Sequence, residues 1–435
     1  MLRYRRFEMA ERVVAPEERT AAPLPEPERA REWLATMMLI RRFEERAGEM
    51  YAKAKVGGFL HLAIGEEATI LGAARALRPG DYMISTYRSH GHALARGTAP
   101  EAVMAELFGR VDGCSRGRGG SMHMFDLQRR FMGGYGIVGG NLPLAAGMGM
   151  ACDYLGTEDA VLCTFGDGAA NQGTFGETMN LAALWRLPVV FLVSNNQFGM
   201  GTALERHSAV TELHKRGESF GVPGLRCDGM DVADTFTVCA QALERSRSER
   251  QPVLIEARTY RFRGHSMADP EEYRTREQVE QWRARDPIVS FGQRLSREGV
   301  LGEGELARLD GEAIERVDRA VDFADSSPFP EPPSLYDDVY VLGDQVGGWY
   351  SVDARTPTPH RGEDERAMPR HQLPGGAGYE SEHTTSTARP IGAVQGLPDE
   401  TDAEESDAEE TDAEGANPDR ARPDRARPDR AEREG

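Results

Sequence analysis

Apolar residues between about positions 29 and 340 follow two alternating spacings. From Pro27 to Ala47 they recur every three or four positions, which predicts an amphipathic helix with a proline in its first turn. Helical stretches separate short apolar runs with the length and β-branched content of buried strands. The sequence therefore predicts an α/β fold, a parallel sheet covered by helices on both faces. The predicted strands are Tyr82 to Thr86, Ala160 to Phe165, Val189 to Ser194 and Val253 to Thr259.

Much of the negative charge lies near the C-terminus. The net charge is −19, and residues 345–435 hold 21 acidic and 11 basic side chains, a net −10. Asp399 to Glu414 contains ten acids and no base, and the unit Pro-Asp-Arg-Ala then occurs three times. Such a stretch cannot bury enough apolar surface to offset its chain entropy. We predict an N-terminal extension over residues 1–28, one folded domain over 29–340, and a disordered acidic tail containing Pro and Arg over 341–435.

Composition limits the possible partners. The longest apolar runs, Leu187 to Val193 and Leu142 to Cys152, fall short of the roughly 18 residues that a membrane helix needs, so no membrane partner is expected. Excess acid argues against nucleic acid, because that binding depends on Lys and Arg neutralising phosphates. Only three of the 52 basic residues are lysines. Adaptation to high salt and GC-rich codon usage are equal explanations of that bias.

The cysteines favour a reducing compartment. The five of them form no CxxC pair and no metal-finger spacing, and their number is odd. Arg3 and Arg5 near the start are typical of a transit peptide, but Glu8 and Glu11 follow, and such peptides avoid acids. A cytoplasmic location is therefore expected.

Two polar motifs stand directly after predicted strands. Gly166-Asp167-Gly168 follows the second strand, and Asn195-Asn196 follows the third. Open α/β sheets bind ligands at the carboxyl ends of their strands. Carboxylate and amide oxygens suit Mg²⁺, which usually takes one or two protein groups together with ligand phosphates. Backbone N–H groups near Gly168 and Ala169, at a predicted helix start, favour a phosphate.

Gly-Asp-Gly alone is a common turn, but its spacing to Asn-Asn is typical of the diphosphate and metal motif of thiamine diphosphate enzymes. Over roughly residues 30–340 the chain resembles the thiamine diphosphate-dependent 2-oxoacid dehydrogenases, in particular the alpha subunit of the pyruvate dehydrogenase first component. Seven stretches in family order carry this resemblance. They begin at Gly57 (GGFLHL), Tyr87 (YRSHG), Gly119 (GGSMHM), Gly136 (GIVG), Gly166 (GDGAANQG), Asn195 (NNQFGMGT) and Gly264 (GHSMADP).

The resemblance implies a thiamine diphosphate-binding fold with both thiamine diphosphate and Mg²⁺ as cofactors. Asp167, Asn196 and the backbone carbonyl of Phe198 are expected to hold the metal, and family members often carry Tyr at position 198. The remaining cofactor-binding residues are expected at the diphosphate, at its helix start and at the aminopyrimidine. They are Tyr87, Arg88 and Arg261 at the diphosphate, Gly166, Gly168 and Ala169 beside it, and Gly136 and Val138 at the aminopyrimidine.

Histidines are the expected proton carriers, because their pKa lies near neutrality. By family likeness His265 and His61 point at the reacting centre, so both are predicted to be catalytic and His265 also to contact the cofactor. Three others, His90, His92 and His123, are interpreted as structural or as supporting the residues that contact the cofactor. The cofactor supplies the carbanion chemistry by which pyruvate is decarboxylated and its acetyl unit passed to a lipoyl group.

The resemblance also implies partners. The glutamate that activates the aminopyrimidine is expected from a beta subunit, in an alpha2-beta2 heterotetramer docked on a lipoyl-bearing dihydrolipoamide acetyltransferase. Alternatives are the alpha subunit of a branched-chain 2-oxoacid or acetoin dehydrogenase, a nucleotide-binding Rossmann oxidoreductase, and a non-catalytic interaction protein with an acidic tail. The Rossmann alternative lacks a Gly-x-Gly-x-x-Gly after its first strand.

Overall fold

The computed structural model describes residues 22–332 and residue 334. Most of the predicted N-terminal extension and all of the predicted tail lie outside the described residues, so both stay predictions. None of the described helices is both long and apolar enough to cross a membrane.

A parallel sheet of five strands lies at the centre of the described chain, in the order β1-β2-β3-β7-β6. A separate antiparallel hairpin pairs β4 with β5. The α/β class with a parallel sheet is confirmed. The strands are β1 Tyr82–Ile84, β2 Val161–Gly166, β3 Val189–Asn195, β4 Phe198–Gly199, β5 Thr202–Ala203, β6 Gly224–Asp228 and β7 Val253–Arg258.

Helices connect the strands and cover the sheet. The α-helices are α1 Pro27–Ala52, α2 Glu67–Arg75, α3 His90–Arg96, α4 Pro100–Leu107, α5 Asn141–Tyr154, α6 Gly173–Leu184, α7 Leu204–His207, α8 Val232–Glu249, α9 Arg276–Arg283, α10 Pro287–Arg297 and α11 Glu305–Ser326. Short 3-10 helices occupy Leu127–Arg129, Asp167–Asn171 and Leu213–Phe220.

Alternate residues of the central strands pack into different cores. In β3, Val190 and Leu192 join the cluster beneath α1, α2 and α8, whereas Phe191 and Val193 join the cluster beneath α5 and α6. Successive side chains of a strand point to opposite faces, so a strand buried on both faces reads as a continuous apolar run. This confirms that helices cover both faces of the sheet.

Helix α1 continues past the predicted end at Ala47 and includes Gly48. A Cβ at this glycine would lie 3.3 Å from the Leu62 side chain and 3.6 Å from Met267 Sδ. The absence of a side chain lets the segments around Leu62 and Met267 lie directly on the helix. Gly48 therefore marks a close approach rather than a helix end.

One buried carboxylate organises the glycine-rich segment 113–120. Glu106, at the end of α4, is fully buried and accepts hydrogen bonds from four backbone N–H groups of this segment. The donors are Ser115 and Gly117 to Oε2, at 2.7 and 2.9 Å, and Gly119 and Gly120 to Oε1, at 2.7 and 3.0 Å. The segment forms neither helix nor strand.

Candidate functional site

Five of the predicted site residues follow the carboxyl ends of four neighbouring strands. Tyr87 and Arg88 come after β1, Asp167 after β2, Asn196 after β3 and Arg261 after β7. In the ladder between β2 and β3, Gly166 lies opposite Ser194, so the two polar motifs begin at the same edge of the sheet. The parallel topology thus gathers residues that are far apart in sequence.

Two of the predicted metal-binding oxygens converge on one point. Arg261 Nη1 lies 3.4 Å from Asn196 Oδ1 and 3.3 Å from the carbonyl oxygen of Phe198. The Asp167 carboxylate, on the adjacent strand end, is 2% exposed. The loops that carry these residues touch, because a Cβ at Gly168 would lie 3.1 Å from the Cα of Gly199.

The predicted donor set suits a hard divalent cation. It comprises one carboxylate, one amide oxygen and one carbonyl oxygen, the ligand types that Mg²⁺ binds. Among the described residues, no group of three or more His, Cys, Asp or Glu side chains could hold a metal ion. A site for Mg²⁺ in this region would therefore depend on neutral oxygens and on ligand phosphates in addition to Asp167.

Two guanidinium groups are buried beside these oxygens. Arg261 donates through Nη2 to the Met200 carbonyl at 2.8 Å, and Arg88 donates through Nη2 to the His265 carbonyl at 2.9 Å. Burial lowers the pKa of Arg88. Buried Arg Nε atoms normally have partners, yet Arg261 Nε has none among the described residues. A buried cationic pair with an unpartnered donor fits an anion such as a diphosphate.

Three aromatic rings form the adjacent wall. The ring centroids of His61 and Tyr87 lie 4.5 Å apart, those of His61 and His265 lie 5.1 Å apart, and those of Tyr87 and His265 lie 5.7 Å apart. The backbone holds the two histidines together, since Met267 N–H donates to the Leu60 carbonyl at 3.0 Å. Nδ1 of each histidine is buried and lacks a partner within the described chain.

Both histidines are neutral at pH 7 in the cofactor-free chain. Burial, followed by the charge of Arg88, lowers the pKa of His61 to about 2. The same two causes, in the same order, lower the pKa of His265 to about 4. Each ring therefore has one nitrogen with a free lone pair at neutral pH.

The loop before α5 spans the gap between the β1 and β2 ends. A Cβ at Gly134 would lie 2.6 Å from the Thr86 carbonyl oxygen, and one at Gly139 would lie 3.0 Å from Thr174 Oγ1. Gly136 and Val138 belong to this loop, and a Cβ at Gly136 would lie 3.3 Å from His123 Nε2. The loop thus brings the predicted aminopyrimidine residues to the same edge as the other candidates.

Several residues that the sequence analysis did not single out hold the candidates in place. Glu66 accepts from Asn196 Nδ2 at 2.8 Å, and burial raises the pKa of Glu66. Asp269 accepts from the backbone N–H of His265 and from Tyr273 Oη. Glu66 and Asp269 lie within or beside the matching motifs, so closer attention to acids there could have found them.

Comparison with known proteins gives the family. A model of the Dehydrogenase E1 component family matches residues 35–333. This chain belongs to that family. Thiamine diphosphate dependence is a property of the Dehydrogenase E1 component family, so the predicted family, enzyme class and organic cofactor are confirmed.

Curated relatives named "Pyruvate dehydrogenase E1 component subunit alpha" match the same part of the chain. The protein of Rhizobium meliloti is 48% identical over 304 residues, covering 70% of this chain and 87% of the relative. The protein of Rickettsia felis is 44% identical over 304 residues, covering 70% and 93%. That of Zymomonas mobilis is 45% identical over 312 residues, covering 71% and 88%.

Proposed function

We propose that this chain is the alpha subunit of an acetyl-transferring pyruvate dehydrogenase. It decarboxylates pyruvate with thiamine diphosphate and acetylates the lipoyl group of a dihydrolipoamide acetyltransferase. The proposal depends on one observation: Arg261 Nη1 donates both to Asn196 Oδ1 and to the Phe198 carbonyl, so two predicted metal ligands lie beside a predicted diphosphate-binding residue. The names of the curated relatives support the choice of pyruvate and of the alpha subunit.

Mg²⁺ is held by Asp167, Asn196 and the backbone carbonyl of Phe198. The first two supply side-chain oxygens from neighbouring strand ends, and Phe198 can serve although it lacks a hydroxyl, because only its backbone takes part. Gly166, Gly168 and Ala169 lie in or beside the first turn of the 3-10 helix Asp167–Asn171, where backbone N–H groups favour the diphosphate. The metal offsets the negative charge of the diphosphate.

Arg88, Arg261 and Tyr87 bind the diphosphate, while Gly136 and Val138 meet the aminopyrimidine. The bound cofactor supplies the carbanion chemistry at which the 2-oxoacid loses carbon dioxide. His61 and His265 hold and move protons there, each through its unpartnered Nδ1. The charge of Arg88 lowers the pKa of both rings, so an anion bound to Arg88 moves each pKa back toward neutrality.

A beta subunit completes the site in an alpha2-beta2 heterotetramer in the cytoplasm. The surface beside the candidate residues supports a protein partner there, because Ile137 is 76% exposed and Met200 is 65% exposed. Both belong to loops that carry predicted cofactor or metal residues. Large apolar side chains exposed beside a polar site are typical of interaction surfaces.

The metal assignment is tested by co-expressing the full chain with a candidate beta subunit and titrating thiamine diphosphate with and without Mg²⁺. Asp167→Ala is expected to lose the Mg²⁺-dependent part of the affinity, because it removes the only charged ligand. Asp153→Ala, an exposed position near the end of α5, is the matched control and is expected to keep it. Unchanged Mg²⁺-dependent binding in Asp167→Ala would contradict the ligand assignment.

The substrate is tested with the same complex and an artificial electron acceptor. Pyruvate is expected to turn over with a higher kcat/KM than 3-methyl-2-oxobutanoate. A clear preference for the branched acid would instead identify a branched-chain 2-oxoacid dehydrogenase.

A further inference from the structure

A histidine outside the matching motifs contacts the predicted metal-binding carboxylate. His207 Nε2 lies 3.3 Å from Asp167 Oδ2. The His207 side chain is 13% exposed and that of Asp167 is 2% exposed, so little water competes for the contact. His207 ends the single-turn helix α7 and reaches the β4–β5 hairpin before it, where a Cβ at Gly199 would lie 3.5 Å from the imidazole.

A chain of hydrogen bonds decides which nitrogen of His207 carries the hydrogen. Arg216 Nη1 can only donate, and it lies 2.9 Å from Asn171 Oδ1. The other end of that amide, the Nδ2 donor, therefore faces His207 and lies 2.9 Å from its Nδ1. Ser208 Oγ, 3.0 Å from Nδ1, can donate as well as accept, so it is compatible with an accepting Nδ1. With Nδ1 accepting from Asn171, Nε2 carries the hydrogen and donates to Asp167.

Asn196 is held in a comparable way. Its Nδ2 donates to Glu66, which turns Oδ1 toward the point shared with the Phe198 carbonyl. The bond from His207 to Oδ2 likewise fixes the rotation of the Asp167 carboxylate and leaves Oδ1 available. Each predicted side-chain ligand is thus restrained through one of its two polar atoms.

We propose that His207 is a positioning residue that orients the Asp167 carboxylate for Mg²⁺, with Asn171 and Arg216 fixing the hydrogen on Nε2. The inference rests on the proposed metal site. A carboxylate that is free to rotate must be ordered when the metal binds, whereas one already held loses less entropy. Residues that orient metal ligands in this way typically contribute about 10- to 100-fold to metal affinity.

The test measures metal affinity directly. The full chain is co-expressed with a beta subunit, freed of cofactor, and titrated with Mn²⁺ at saturating thiamine diphosphate by electron paramagnetic resonance. His207→Ala is expected to weaken Mn²⁺ binding by about 10-fold or more. His207→Gln places an amide nitrogen the same number of bonds from Cβ as Nε2, and is expected to restore most of the affinity.

Controls separate this role from general damage and from failure of the site itself. Glu205→Ala, an exposed position on the same helical turn, is expected to bind Mn²⁺ as the unaltered chain does. Weaker binding in Asp167→Asn with unchanged binding in His207→Ala would overturn the role of His207 alone. Unchanged binding in both would overturn the proposed metal site and this inference with it. Equal weakening in His207→Ala and His207→Gln would overturn the role of the N–H donor.

Discussion

Arg88 links the two segments that carry the candidate catalytic histidines. Its Nη1 donates to the carbonyl of Leu62, next to His61, and its Nη2 donates to the carbonyl of His265 at 2.9 Å. Arg88→Lys keeps the positive charge but provides one nitrogen instead of the planar fork, so one carbonyl loses its charged donor. Losing one hydrogen bond to a charged group costs about 1.5–3 kcal/mol.

This loss has a measurable size. Unfolding entropy is about 2.1 cal/mol/K per residue, so a folded part of about 300 residues has roughly 0.6 kcal/mol/K. The expected decrease in the melting temperature of this chain is therefore about 2 to 5 °C, measured by calorimetry as its own transition in the cofactor-free complex with a beta subunit. We also expect kcat/KM for pyruvate to fall, because one of the two charged bonds that join the segments positioning His61 and His265 is lost.

Arg78→Lys is the matched control. Arg78 pairs with Glu244 at 2.7 Å, and both side chains are more than half exposed. Such exposed pairs contribute about 0–1 kcal/mol, so the control should change the melting temperature by less than about 2 °C. If Arg88→Lys melts and turns over like Arg78→Lys, the two carbonyl bonds do not hold the site together and the reasoning is wrong.

Two further predictions concern backbone contact and pH. Gly168→Val forces apart the touching backbone segments at a cost of about 1–3 kcal/mol and should weaken metal-dependent cofactor binding by roughly 5- to 150-fold in titration. Gly311→Ala, whose added Cβ meets nothing within 4 Å, should not weaken this binding. Equal cofactor affinities of the two variants would contradict the prediction. Burial lowers the pKa of His92 from its ordinary 6.5 to about 4, so the unfolded chain binds the extra proton and stability rises with pH between these values. Melting temperature measured from pH 4.5 to 7 should therefore rise less steeply in His92→Asn, and identical slopes would refute this.

The central strands could be predicted from the sequence because they are buried on both faces. β2, β3 and β7 each begin with at least three consecutive apolar residues and lie within one residue of the predicted bounds. Strand β6, Gly224–Asp228, could not be predicted, because only Cys227 of this edge strand is buried. A strand that buries one residue in five gives no periodic signal.

The site could be predicted only where a motif marked it. Asp167 and Asn196 follow strands directly, so topology alone brings them to one edge. Glu66 contacts Asn196 across 130 positions, and His207 contacts Asp167 across 40. Hydrophobic periodicity predicts which face of a helix or strand is buried and not which polar atoms meet, so neither contact can be predicted from it. The roles of the gathered residues stay predictions until the titrations above are made.

The buried Glu106 carboxylate changes what a cluster of glycines can be taken to mean. Segment 113–120 has the composition of a nucleotide cradle, yet its amide hydrogens already surround an anion that the polypeptide itself provides. A phosphate from solution could bind these N–H groups only by displacing the Glu106 carboxylate, which is part of the chain itself. In homologous chains, an acidic residue a short distance upstream of such glycines would distinguish segments whose N–H groups bind an internal carboxylate from segments that can bind a ligand.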